Sequence, residues 1–90
     1  MGDDDGRGPF RYRADVLEQL WRHGVQPTER TPPALVHEFV SDLYRHEIRR
    51  LRARLLRRDF PKKEYAGRII DLRRRYPVIS MHAREWTEPS

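Results

Sequence analysis

The longest regular pattern of apolar positions in the chain lies between residues 32 and 58. Apolar residues recur there every three or four positions, which places them on one face of an α-helix. The Thr31 hydroxyl is able to cap free amides and prolines are tolerated in a first turn, so the helix is expected to begin at Pro32. After the first turn, no glycine or proline interrupts it before Pro61. The stripe consists of Val36, Val40, Tyr44, Ile48, Leu51 and Leu55, widened in its first half by Phe39 and Leu43.

A shorter helix is predicted before this one, over residues 15–23. Asp15 stands as a candidate N-cap with Glu18 three residues later, as in a capping box, and Gly24 is a typical C-terminal stop. Residues 25–30 are largely polar and contain a proline, so they are expected to form a connection. The apolar face of this first helix consists of Val16, Leu17, Leu20 and Trp21.

A third helix is predicted for residues 61–76, because four apolar positions recur there at helical spacing and Pro77 prevents continuation. This narrow apolar line is expected to pack antiparallel against the second half of the long helix. The segment after it is too short for another helix, so residues 77–90 are expected to form an extended tail that docks on the core. The apolar line consists of Tyr65, Ile69, Leu72 and Tyr76.

Together these patterns predict an all-α fold, a small three-helix domain whose long central helix packs antiparallel to the C-terminal helix. Residues 10–90 are expected to form this single domain. Residues 1–9 combine three glycines, three aspartates and one proline with a single apolar residue, so we expect a disordered acidic tail there. A chain this short buries only roughly 60–65% of the surface that its unfolded form exposes, so its core is thin and complex formation or homo-oligomerisation is expected.

Charge divides the chain into two parts. Residues 45–75 contain 13 of the 19 Lys and Arg residues and only four acids, a balance of +9, whereas the other residues sum to −4 and the whole chain to +5. Clustering of this kind points to a polyanion or an acidic protein as partner. The candidate binding residues are Arg45, Arg49, Arg50, Arg52, Arg57, Arg58, Lys62, Lys63, Arg73 and Arg74.

Three interpretations of this basic face are open: a solvated surface, a docking face for an acidic protein, and a site for a nucleic-acid backbone. Arg45, Arg49 and Arg52 fall within a sector of about 60° on the long helix, opposite its apolar stripe. The third helix lacks a set of Asn, Gln or Ser side chains for reading bases. Nucleic-acid binding would therefore rest on phosphate contacts and fall steeply with salt.

The aromatic side chains are divided by their position in these patterns. Most of them are in step with apolar positions, so they are assigned to the core rather than to base stacking. Trp86 lies near the end of the chain among charged residues, which makes it a candidate tail anchor for a partner. The aromatics assigned to the core are Phe39, Tyr44, Phe60, Tyr65 and Tyr76.

Motifs for catalysis, cofactors or metals are missing from the sequence. No two of the four histidines have the i, i+3 or i, i+4 spacing that would bring two imidazoles onto one metal ion. No glycine-rich phosphate loop and no nucleophile with a matching base stand out. A non-enzymatic protein without cofactor or metal is therefore predicted. The chain has no cysteine and no apolar run near the roughly 18 residues of a membrane span, which favours a cytoplasmic protein that does not enter the membrane.

One segment resembles a known family. Residues 55–65, Leu-Leu-Arg-Arg-Asp-Phe-Pro-Lys-Lys-Glu-Tyr, followed by Ile69 and Leu72, are similar to the short helical hairpin called the SHOCT domain. In that family paired leucines end one helix, and an acid followed by an aromatic resumes the next. The resemblance implies that Phe60 plugs the gap between two helices, and that the hairpin serves interaction or oligomerisation without catalytic residues.

The function expected from these observations is that of a small, non-catalytic accessory or adaptor protein. It would bind an acidic protein partner through its basic helical face. The alternative is a DNA- or RNA-binding protein without sequence specificity.

Overall fold

The computed structural model describes residues 9–88. Within this range the chain forms three α-helices, α1 (Ala14–Arg22), α2 (Pro33–Leu56) and α3 (Tyr65–Arg74), together with three short 3₁₀ helices and no strand. The predicted all-α fold with a long central helix is confirmed, and α2 packs against α3. The acidic tail predicted for residues 1–9 falls almost entirely outside the described residues. The molecule is elongated, with extents of 56 × 20 × 19 Å.

Helix α1 begins one residue earlier than predicted. Its N-cap is Arg13, which makes no capping bond with its side chain, so the prediction of Asp15 as N-cap is wrong. Asp15 lies in the first turn, where its carboxylate accepts a hydrogen bond of 3.0 Å from Arg13 and complements the helix dipole. The predicted end is confirmed. Gly24 has a φ of 76°, and the Val25 N–H donates to the Leu20 carbonyl over 2.9 Å, as in a Schellman motif.

Helix α2 has 24 residues and is therefore about 36 Å long. Its two ends agree with the prediction to within two residues. The C-terminal end is set by Arg58, whose φ of 64° is in the left-handed region. The Arg58 N–H donates to the Leu55 carbonyl and the Asp59 N–H to the Arg54 carbonyl, both over 2.9 Å, which completes a second Schellman motif. An arginine thus occupies a backbone conformation that favours glycine.

The hydrophobic core surrounds the first half of α2. Trp86 is the largest fully buried side chain, and its Nε1–H donates to the Val78 carbonyl over 3.2 Å. The assignment of Trp86 as an anchor for a partner is therefore corrected. In a thin core the indole offers the largest apolar area, and the chain buries it against itself. The core cluster consists of Val16, Leu20, Val36, Val40, Leu72, Tyr76, Val78 and Trp86.

The C-terminal segment docks on this core as predicted, but it is not extended. It forms two 3₁₀ turns, Pro77–Ser80 and Ala83–Glu85, both of which contact α2. A 3₁₀ turn pairs amides and carbonyls within the segment, which an extended strand without a neighbouring strand cannot do. His37 on α2 holds the segment in place, with its Nε2 atom 3.2 Å from the Ile79 carbonyl oxygen and 2.9 Å from that of Met81.

The two ends of the described chain meet on the core. The Arg13 N–H donates to the Trp86 carbonyl over 2.8 Å, and the Glu88 N–H donates to the Arg11 carbonyl over 2.9 Å. These two backbone bonds join the segment before α1 to the segment after the last 3₁₀ turn. The core is thus closed by residues from opposite ends of the sequence.

The second half of α2 packs against α3 in a helical hairpin. Phe60, in the turn between them, is buried, and the guanidinium carbons of Arg68 and Arg54 lie 4.1 and 5.5 Å from its ring centroid. The term hairpin refers below to α2 from Arg45 onward, this turn and α3.

Two aromatic side chains do not occupy the buried positions expected of them. Phe39 on α2 is 53% exposed, and Trp21 on α1 is 55% exposed. Each is the sequence neighbour of a fully buried residue, Val40 and Leu20 respectively. Successive residues of a helix are about 100° apart, so a side chain next to the centre of the stripe falls outside a narrow interface.

Candidate functional site

The ten basic residues identified from the sequence are all exposed, and all lie on the hairpin. They do not form one surface. Arg45, Arg49 and Arg52 follow one flank of α2, whereas Arg50 lies on another flank, where it lines a cleft facing α3. Arg73 and Arg74 belong to the last turn of α3. The basic charge therefore surrounds the hairpin rather than marking a single face of it.

Few of these residues are paired with acids. Arg45 is paired with Asp42 one turn earlier, and Arg57 donates to Asp59 over 3.0 Å. Exposed ion pairs of this kind contribute only about 0–1 kcal/mol, so a stronger acceptor is able to replace them. In the part of the chain that the structure describes, no acid lies within 4.0 Å of the other eight: Arg49, Arg50, Arg52, Arg58, Lys62, Lys63, Arg73 and Arg74.

A cleft between α2 and α3 collects three further arginines, Arg54, Arg68 and Arg75, that were not among the predicted binding residues. Its volume is about 240 Å³. The i, i+4 spacing of the sequence predicts ion pairs of Glu64 with Arg68 and of Asp71 with Arg75. No pair within 4.0 Å is found between Arg75 and Asp71 among residues 9–88. The cleft is lined by Glu47, Arg50, Leu51, Arg54, Arg68, Asp71, Leu72 and Arg75.

The helical spacing of the arginines in the sequence indicates part of this cleft. Arg50 and Arg54 are four residues apart on α2, and Arg68 is seven residues before Arg75, the C-cap of α3, so each pair shares a helix face. What the sequence did not reveal is the register that turns the two faces toward each other.

Two side-chain contacts order the wall of the cleft. The Tyr76 hydroxyl donates to Glu47 Oε2 over 2.7 Å, and burial together with this bond raises the pKa of Tyr76 to about 12. Arg68 donates through Nη2 to Glu64 over 3.1 Å while its guanidinium stacks on Phe60. The Glu64–Arg68 pair was predicted from its i, i+4 spacing and is confirmed.

Exposed apolar side chains interrupt the basic surface at the tip of the hairpin. Leu56, the last residue of α2, is 76% exposed, and it lines a shallow concave surface at the tip. Basic residues border this surface on both sides of the turn. We use the term hairpin tip for its lining residues, Arg52, Leu55, Leu56, Arg58, Asp59, Phe60, Pro61 and Lys62.

A second apolar groove lies where α3 meets the C-terminal segment. Its volume is about 520 Å³, and Ile70, which is exposed, contributes to its wall. Arg73 and Arg74 lie at this groove, so two of the predicted basic residues again accompany apolar ones. The remaining lining residues are Tyr44, Tyr76, Pro77, Ile79 and Ser80.

His23, which lies next to the end of α3, is placed as a packing residue. His23 stacks on Tyr76 with ring centroids 4.1 Å apart, and its Nε2 lies 2.6 Å from the Arg75 carbonyl oxygen, at the end of α3. Among the described residues, no group of three His, Asp or Glu side chains is arranged to hold a metal ion.

No family model matches the chain, and no curated protein or solved structure is significantly similar to it. Within residues 9–88, no helix combines the length and the apolar character that crossing a membrane requires. The fold and the site together define a small helical protein that presents a basic hairpin with exposed apolar side chains.

Proposed function

We propose that this chain is a non-catalytic accessory or adaptor protein of the cytoplasm, which binds an acidic protein partner through its hairpin. The observation that carries the proposal is the hairpin tip, where Leu56 is exposed between Arg52, Arg58 and Lys62. An exposed leucine gains nothing against a phosphate backbone. Against a protein surface it is a candidate anchor, surrounded by charges that select an acidic partner.

The resemblance to SHOCT hairpins supports the same function, since it implies an interaction hairpin with an apolar plug. Phe60 is buried in the position where such a plug is expected. A homodimer through the hairpin is disfavoured, because it would bring two segments of charge +9 together. A different protein with acidic residues around an apolar depression is therefore the partner that we propose.

A capture experiment with two kinds of variant tests this proposal. The chain is immobilised and exposed to nuclease-treated lysate of its native host, and the proteins bound in fixed stoichiometry are identified. We expect the triple variant R45E/R49E/R52E and the single variant Leu56→Ser to lose the partner. The matched control is Leu35→Ser, which alters a leucine that is 61% exposed at the other end of α2. Retention of the partner by both hairpin variants, with unchanged helicity by circular dichroism, would contradict the proposal.

A second candidate function is binding of DNA or RNA without sequence specificity. It is favoured by basic residues that have no carboxylate within 4.0 Å in the described range, among them Arg49, Lys62 and Lys63. Release of counterions makes the logarithm of such an affinity fall linearly with the logarithm of salt concentration, with a slope of about −0.9 per phosphate neutralised. A flat salt dependence, or binding that Leu56→Ser abolishes as completely as R45E/R49E/R52E does, excludes this function.

A further inference from the structure

The cleft between α2 and α3 brings four guanidinium groups together from two helices. Arg50 and Arg54 approach it from α2, and Arg68 and Arg75 approach it from α3. The only acids among its lining residues are Glu47 and Asp71, so the lining carries a net charge of +2. Like charges in a concave site with apolar walls repel one another and concentrate counterions. The arrangement therefore favours the binding of an anion.

Three of these arginines have hydrogen-bonding capacity that the described residues do not use. No acid lies within 4.0 Å of Arg50 or Arg75. Arg68 donates to Glu64 through Nη2, but its Nε is buried and has no acceptor. A buried donor without an acceptor is unfavourable, and in folded proteins a bound ion or an ordered water often satisfies such a donor.

The two acids of the lining are unequal competitors for these arginines. Glu47 accepts a hydrogen bond of 2.7 Å from Tyr76, which draws part of its acceptor capacity away from the arginines. Asp71 is exposed, and no basic side chain lies within 4.0 Å of it in the described range. Asp59 and Glu64, which lie outside the lining, pair with Arg54 over 3.8 Å and with Arg68 over 3.1 Å. Among residues 9–88, the guanidinium groups of the cleft that have no carboxylate within 4.0 Å are therefore those of Arg50 and Arg75.

We propose that this cleft binds a phosphoryl dianion. A charge of −2 matches Arg50 and Arg75, which no carboxylate approaches within 4.0 Å in the described range, whereas a single carboxylate would leave one of them uncompensated. Guanidinium groups donate pairs of hydrogen bonds to phosphate oxygens, so each of these two arginines is able to bind a phosphoryl group. The cleft of about 240 Å³ has the volume of about eight water molecules at roughly 30 Å³ each, which is room for orthophosphate, pyrophosphate or the phosphoryl group of a monoester.

The test is a titration of the isotope-labelled protein with inorganic pyrophosphate at low salt, followed through the Nε–Hε signals of its arginines. We expect saturable shifts of the Arg50, Arg68 and Arg75 signals. Arg50→Gln is expected to weaken the affinity at least about tenfold, because it removes a charge-assisted pair of bonds. The matched control is Arg49→Gln, which removes the same charge from the adjacent residue outside the cleft and is expected to weaken affinity less than about twofold.

Each possible outcome either identifies the form of the phosphoryl ligand or overturns the proposal. Saturable binding of orthophosphate, pyrophosphate or a monoester such as phosphoserine supports it, and the tightest of the three indicates whether the phosphoryl group is free or carried. If Arg49→Gln and Arg50→Gln weakened the affinity equally, the binding would depend only on overall charge, which would overturn the proposal. Acetate binding as tightly as phosphate, or absence of saturation by about 10 mM, would overturn it as well. Leu56→Ser leaves the cleft unchanged, so this result does not depend on the protein partner proposed above.

Discussion

The two halves of α2 are enclosed to different degrees. In the first half Val36 and Val40 are buried in the core cluster, which the C-terminal segment and residues of α1 complete. In the second half Leu51 is buried against α3, and Leu56 at the end lies in solvent. We use the term enclosed half for the first half of α2 with the core around it, and the term open half for the hairpin. The enclosed half carries the stability of the fold, while the open half carries most of the positive charge. A small chain can thus keep a charged surface exposed because its apolar contacts are concentrated elsewhere.

The largest expected effect concerns the enclosed half. Trp86→Ala empties the largest buried site and is expected to cost about 4 kcal/mol, comparable with the whole stability of a domain this small. Chemical denaturation followed by circular dichroism measures the loss. Trp86→Phe keeps most of the volume but loses the bond to Val78, so we expect about 1–2 kcal/mol. The matched control Trp21→Ala removes an exposed indole; if it destabilised the chain as much as Trp86→Ala, the core would not be centred on Trp86.

A somewhat smaller and more local effect is expected in the open half. Phe60→Ala removes the ring between Arg54 and Arg68 and is expected to cost about 3 kcal/mol. Native-state hydrogen exchange should show faster exchange of α3 amides, with smaller changes in α1, because α1 does not depend on the turn. Phe39→Ala, at a site 53% exposed, is the control and should change exchange little. Uniform acceleration across all helices would show that the two halves unfold as one unit.

Tyr76 joins the two halves, since its ring stacks on His23 and its hydroxyl donates to Glu47. Tyr76→Phe is expected to cost about 1 kcal/mol at neutral pH through loss of that bond. Tyr12, which donates to the Thr31 carbonyl over 2.5 Å, provides the corresponding control, Tyr12→Phe, on the enclosed half alone.

Alkaline pH acts on the same two residues. Burial raises the pKa of both Tyr12 and Tyr76 from 10.0 to about 12, with the bond to Glu47 adding to the effect at Tyr76. The folded state therefore holds these protons more tightly than the unfolded state. Their contribution to stability is complete below pH 10 and is lost as pH rises through about 12. Phenolate absorbance should show two late titrations in the wild type and one in each Phe variant, and early titration of both residues would contradict the structure.

The smallest effect is a stabilisation at the end of α2. Arg58 has a φ of 64°, so Arg58→Gly removes steric strain and is expected to stabilise the fold by about 0.5 kcal/mol after the greater freedom of the unfolded glycine is counted. Arg57→Gly, one residue earlier at a φ of −82°, relieves no strain and should destabilise by about 0.5–1 kcal/mol. Thermal melting of the two variants tests the difference in sign.

The helices were predictable because their signals are local. The spacing of Val36 and Val40, the glycine after α1 and the proline after α3 each act within a few residues. Helices α1 and α2 were found within two residues of their predicted bounds, whereas α3 begins at Tyr65 rather than at residue 61, after a 3₁₀ turn over Lys62–Glu64. Arg58 was not predicted in a left-handed conformation, since nothing in an arginine side chain favours it. The hydrogen bonds of the Schellman motif select that conformation despite its strain.

The parts that sequence reasoning missed depend on distant contacts. Trp86 has charged neighbours along the chain, and its burial follows from contacts with α2, including the ring of His37 at a centroid distance of 5.2 Å. The cleft of arginines likewise requires the register of α2 against α3. Spacing along one helix shows which side chains share a face, but not which face another helix will meet. Fold class was therefore within reach, whereas the geometry of the candidate site was not.

The backbone bond between Arg13 and Trp86 spans 73 positions of the sequence, which has a consequence for synthesis on the ribosome. The contacts of residues that emerge first are completed only by residues that emerge much later, whereas the turn between α2 and α3 joins neighbouring segments. During translation the hairpin is therefore expected to form before Trp86 is available to complete the core. For that interval the apolar side of α1 and of the first half of α2 is uncovered, and the nascent chain is a natural client for chaperones until Trp86 arrives.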